Sequence, residues 1–175
     1  MTYILIIIGL LFLIFVTISI VKPIKQKNSF ESSLKEFLNK AYPNEYTFEK
    51  SNNPLYQYDL KINDDKFILK TVSIPSYAEV QINNKVTWEI KYGAGKTVGK
   101  AQPNRKYLSG IAGFMNYQNQ DVTKVVVLIP ESKQTVMYIN ECEIEFVTPQ
   151  TNVYGTRIIN YHDFTLFSNI KNNNK

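Results

Sequence analysis

Lys124-Val125-Val126-Val127-Leu128-Ile129 is the stretch that decides the fold. A half-buried strand alternates apolar and polar side chains, so five apolar residues in a row read as a strand covered on both faces. The run is too short for a stable helix and rich in β-branched valine, which argues the same way. Something must then cover each face, and the sequence offers two helices for the purpose. The first has Ser29 as its N-cap, repeats Phe30, Leu34, Phe37, Leu38 and Ala41 on one face, and stops at Pro43. The second spans 104–117 with Leu108, Ile111, Ala112 and Met115 on one face; Gly110 and Gly113 weaken it but allow close approach to a sheet.

Between and after these helices the period changes to two. Segments 46–50 and 55–62 alternate, Asn63-Asp64-Asp65 reads as a tight turn, and 66–74 continues as a more apolar strand ending at Pro75. Segments 78–82 and 86–92 flank Asn83-Asn84, a hairpin signal. Three further strands are expected at 135–139, 144–147 and 153–160. The order predicts an α/β sandwich around a mixed central sheet.

From Tyr3 to Val21 no charged side chain interrupts an apolar run. About 19 residues of helix span roughly 28 Å, close to the hydrocarbon thickness of a bilayer. The expectation is an uncleaved transmembrane anchor over 1–21, because the run is long for a signal peptide and lacks a small-residue cleavage pair. Lys22, Lys25 and Lys27 follow it in a basic linker, 22–28. By the positive-inside rule they place an α/β domain over 29–170 in the cytoplasm, attached to the cell membrane by one helix. Residues 171–175 read as a frayed polar tail.

Composition removes several chemistries. Cys142 is the only cysteine and His162 the only histidine, so neither an internal disulfide nor a cysteine-based zinc site is possible. No Ser or Cys motif surrounds His162 to suggest a triad. Glu141, Glu143 and Glu145 alternate with Cys142, Ile144 and Phe146, which reads as the solvent face of one strand. Gly93-Ala94-Gly95-Lys96-Thr97 looks like the end of a phosphate-binding loop. The required earlier glycine is Ile90, however, and Gly99 and Pro103 oppose the helix that should follow.

The charge distribution says more. The chain carries a net charge of +5, and no acidic residue lies between Glu89 and Asp121. Lys91, Lys96, Lys100, Arg105 and Lys106 fall in that interval, with Tyr92 and Tyr107 beside them. Such a segment can neutralise phosphates of a nucleic acid, meet anionic lipid, or simply be a solvated loop.

Tyr58-Asp59-Leu60, Phe67-Ile68-Leu69-Lys70-Thr71-Val72, the Trp- and Gly-containing segment Val86–Gly93 and the polar Gln102–Lys106 follow one another in an order that resembles the restriction-endonuclease-like PD-(D/E)xK fold. The nuclease-related domain family is the most similar, since its members often carry an N-terminal transmembrane helix. The resemblance covers roughly 30–130. It implies Mg²⁺ held by an Asp and a Glu from neighbouring strands, with a Lys two residues on assisting the attacking water. In that register Lys70 takes the place of the Glu and Val72 that of the Lys, so the metal site is degenerate and no cofactor is expected. A literal Glu89-Ile90-Lys91 keeps an active Mg²⁺-dependent nuclease open, with Asp59, Glu89 and Lys91 as its catalytic residues. A third reading is an interaction module that packs against membrane proteins whose identity the sequence leaves unknown.

Overall fold

The computed structural model describes residues 28–92, 100–103, 108–140 and 142–168, with the backbone alone at 92 and 100–103. A helix, α1, covers 28–41. Ser29 lies inside it rather than capping it. Ten strands follow among the described residues: β1 (Tyr46–Lys50), β2 (Tyr58–Ile62), β3 (Asp65–Ser73), β4 (Glu79–Ile82), β5 (Trp88–Tyr92), β6 (Lys100–Pro103), β7 (Thr123–Ile129), β8 (Gln134–Tyr138), β9 (Ile144–Phe146) and β10 (Thr156–Asn160). Helix α2 (Ile111–Asn116) precedes β7, and a short α3 (Thr165–Ser168) follows β10.

The strands divide into two mixed five-stranded sheets, ordered β1-β2-β3-β7-β10 and β6-β5-β4-β8-β9. The α/β class and mixed pairing agree with the sequence, whereas the single central sheet does not. In the first sheet β1, β2 and β3 form an antiparallel meander, and β7 and β10 run parallel to β3. In the second, β4 and β8 are parallel and the other pairs antiparallel. The division follows from patterning. Val80, Ile82, Trp88 and Ile90 are buried and alternate with Glu79, Gln81, Glu89 and Lys91. A sheet with one apolar face serves as an outer layer, not as a centre covered on both sides.

β7 occupies the position its composition demands. Val125, Val127 and Ile129 pack in the core beneath α1, while Val126 and Leu128 join the core between the sheets. α1 contributes Phe30, Leu34 and Leu38, and Tyr42 follows just past its end, all fully buried and four residues apart, against Leu60, Ile62, Phe67 and Leu69. Burying each such side chain stabilises the domain by roughly 1.5–3 kcal/mol relative to exposure. The Tyr42 hydroxyl donates to the Phe167 carbonyl and fixes α3 beneath the far end of α1.

Three local expectations change. α2 starts at Ile111 because Gly110 has φ 75°, a left-handed conformation that a continuing helix cannot contain; residues 104–107 lie outside the described residues. Lys100–Pro103, read as loop and helix start, is instead an edge strand, where proline is tolerated. β9 alternates as expected but with the opposite sense: Ile144 and Phe146 are 49% and 62% exposed, while Glu145 is half-buried. Among the described residues no helix is long and apolar enough to cross a membrane. The expected anchor, 1–21, and the linker up to residue 27 lie outside them, as does the tail from 169 onward.

Candidate functional site

Asp59 projects from β2 on the face opposite the buried Tyr58 and Leu60, and it is exposed. Its register partner on β3 is Ile68, and on β1 it is Glu49. Lys70 is therefore not its direct neighbour but lies two residues further along β3, past the last β2–β3 pair, Tyr58–Leu69. Lys70 is only 6% exposed; its Nζ donates to the Leu55 carbonyl at 2.8 Å. The backbone of Gly110 closes over it, so close that a Cβ there would lie 3.3 Å from the ammonium. Burial pushes the Lys70 pKa down, because the charged form loses its hydration.

Lys124, paired with Ile68 from the other side, is a second partly buried lysine. Its Nζ donates to the Met115 and Tyr117 carbonyls, at 2.7 and 3.2 Å, at the end of α2 where carbonyls lack intrahelical partners. Burial lowers its pKa, and the charge of Lys85 adds to this. Tyr56 lies between Phe114 and Tyr117, with ring centroids at 6.4 and 5.9 Å. Its pKa is raised, mainly by burial, with the Asp59 charge contributing. Both lysines thus hold backbone carbonyls in place.

This set of residues does not fit the Mg²⁺ site that the resemblance implies. A cation at Asp59 would want a carboxylate from the strand beside it, and Ile68, 3% exposed, supplies a hydrocarbon. Glu49 on the other side is exposed, and the next row carries Lys61 opposite Lys66. Among the described residues no three His, Cys, Asp or Glu side chains gather closely enough to hold an ion. Val72 is buried in the core between the sheets.

Glu89 and Lys91 lie elsewhere. They project from β5 of the second sheet, alternating with Trp88 and Ile90, which face the shared core. Their register partners are Gln81 and Glu79 on β4. The Glu79 carboxylate accepts from Gln81 Nε2 at 2.8 Å and Gln134 Nε2 at 2.7 Å. The structure therefore does not bring Asp59 together with Glu89 and Lys91. Of the basic segment, β5 and β6 pair at the sheet edge with Lys91 opposite Ala101 and Lys100 opposite Tyr92, adjacent pairs that alternate between the two faces of the sheet. Lys96, Arg105 and Lys106 lie outside the described residues.

One concavity carried no signal in the sequence. A cleft of about 230 Å³ opens beside the ends of β7 and β10, lined in part by Ser132, Thr135, Phe146 and Asn160. Asn160 Oδ1 accepts from both the backbone N–H and the hydroxyl of Ser132, each at 3.0 Å. Two donors on one oxygen settle which way the carboxamide points. Ser132 Oγ also shares a hydrogen bond with Thr135 Oγ1 at 3.2 Å. The carboxyl ends of parallel strands are a common place for ligands, which is the one general rule that could have directed attention here. His162 is exposed and its ring lies against Tyr161.

No protein-family model, curated protein or solved structure matches this chain.

Proposed function

We propose that this is a single-pass membrane protein whose cytoplasmic α/β domain is a nuclease-like module that binds without catalysing. The observation that carries the reading is the row Asp59–Ile68, followed by Lys70 held to the Leu55 carbonyl. A metal-dependent nuclease needs a second carboxylate on the strand beside Asp59 and a lysine two residues on. In the register of the resemblance the first place is Lys70, a cation engaged by the Leu55 carbonyl, and the second is the buried Val72. The order α1, the Asp59 strand, the apolar β3, α2 and the doubly covered β7 agrees with the order on which the resemblance rests.

Binding is assigned to the basic segment carrying Lys91, Lys96, Lys100, Arg105 and Lys106, with nucleic acid as its ligand. The interval between Glu89 and Asp121, which holds these five basic residues and no acidic one, supports this. Anionic lipid is a second reading, favoured by the short linker between the apolar run and α1. Incubating the full chain with DNA and RNA, with and without Mg²⁺ or Mn²⁺, tests the absence of catalysis. The expected result is retention of intact nucleic acid. Metal-dependent cleavage that Asp59→Asn or Glu89→Ala abolishes would restore the nuclease reading.

A further inference from the structure

Strands β3, β7 and β10 run parallel, so the segments that follow them emerge at one pole of the domain. These segments are 74–78, 130–133 and 161–164. They are tied together: Ile74 N–H donates to the Ile129 carbonyl, Lys133 N–H to the Ala78 carbonyl, and Ser132 N–H to Asn160 Oδ1. The first turn of α1 lies toward the same end: Glu31 accepts from the Tyr58 hydroxyl at the start of β2, which runs antiparallel to β3. The chain preceding α1 therefore joins the domain near this pole. Only six residues, 22–27, separate the apolar run from α1. Even fully extended they reach about 20 Å.

At this pole Tyr77 is 83% exposed and has φ 59°. An aromatic residue in the left-handed region is disfavoured, and its side chain gains little burial from the fold in return. Lys133, also exposed, belongs to the same pole, its backbone N–H bonded to the carbonyl of Ala78, the residue after Tyr77. An aromatic ring and a lysine on one surface are the pairing found where proteins meet lipid headgroups. The nearby acids do not build a cation site: Asp163 accepts from the Thr165 N–H and hydroxyl, and Glu131 is an exposed single charge.

We propose that this pole is the membrane-facing surface of the domain, with Tyr77 seated in the headgroup region of the bilayer and Lys133 reaching lipid phosphate. The proposal rests on the reading of 3–21 as an anchor. Because Glu131 and Asp163 outweigh Lys133, the contact depends on the aromatic ring rather than on a net positive charge. It therefore persists on a neutral phosphatidylcholine surface.

The test uses the full chain in phosphatidylcholine nanodiscs, with Cys142→Ser and a single environment-sensitive fluorophore at Ser76→Cys. A matched control carries the fluorophore at Asp64→Cys, in the turn between β2 and β3 at the other pole. Lipids bearing a nitroxide near the headgroup should quench the label at 76 and leave that at 64 unchanged. Adding Tyr77→Ser should relieve the quenching at 76. Equal quenching at both positions, or quenching indifferent to Tyr77→Ser, overturns the proposal while leaving the anchor intact. Failure of the chain to enter nanodiscs overturns both.

Discussion

Asp59 and Ile68 stand directly opposite each other on β2 and β3, one exposed carboxylate facing one buried hydrocarbon. That pairing decides the chemistry of this face more firmly than any motif does. A one-residue slip in register would reverse the faces of β3 and send Phe67 and Leu69 out of the core beneath α1. The register is therefore fixed by burial, and the hydrocarbon that faces Asp59 from β3 is a property of the fold.

Lys70 supplies a pH-dependent signature. Its pKa is lowered by burial from its ordinary 10.5, so between the lowered value and 10.5 the unfolded chain binds more protons than the folded one. Stability contributed by this group then rises as pH rises through that window. In Lys70→Met the rise should be smaller, while Lys124, lowered in the same direction, acts equally in both proteins. So does Tyr58, whose pKa is raised by burial and by its bond to Glu31, and which acts in the opposite sense at higher pH. Urea midpoints from pH 7 to 10 should diverge between wild type and variant; parallel curves would show that Lys70 carries no such strain.

Gly110→Ala should cost more than Gly155→Ala. Both glycines have positive φ, 75° and 77°, and placing an L side chain there costs about 1–2 kcal/mol. Only at Gly110 would the new Cβ also press on the Lys70 ammonium, since nothing lies within 4 Å at Gly155. Chemical denaturation of the two variants checks the ordering, and equal losses would mean that Lys70 yields freely.

Asn160→Ala removes the acceptor of two Ser132 donors. Leaving such groups unpaired costs about 1–3 kcal/mol. Ser132→Ala should cost less, because its backbone N–H keeps Asn160 Oδ1. Thermal unfolding of the pair tests this, and a greater loss in Ser132→Ala would place the support of the cleft elsewhere.

Phe146→Ser should leave stability within about 0.5 kcal/mol, as expected for an exposed site away from special features. Had β9 buried its apolar side as its alternation suggests, truncating a phenylalanine would cost about 3–5 kcal/mol. Denaturation of this one variant separates the two orientations.

These contrasts show what the sequence could express. The run Lys124–Ile129 announced a doubly covered strand because both faces of β7 meet core. The turn at Asn83-Asn84 was legible because it is local: Asn84 Oδ1 accepts from the N–H groups of Val86 and Thr87. The partition into two sheets depends on which distant strands pair, and local periodicity does not encode that. Lys100–Pro103 has no apolar alternation to mark it as a strand. At β9 the alternation gave the period but not which side faces inward. The Asp59 strand was found, whereas its true neighbour required the register.

The central claim is charge-driven binding without cleavage through the segment holding Lys91 to Lys106. Fluorescence anisotropy of labelled DNA and RNA, titrated with the full chain in neutral nanodiscs at 50 and 200 mM KCl, tests it most directly. If five phosphates are neutralised, affinity should fall on the order of 500-fold between the two salts. Charge reversal at Lys96, Lys100 and Arg105 should abolish binding at the lower salt, with the nucleic acid left intact throughout. Binding that ignores both salt and charge reversal, no binding at either salt, or cleavage of the probe would contradict the account.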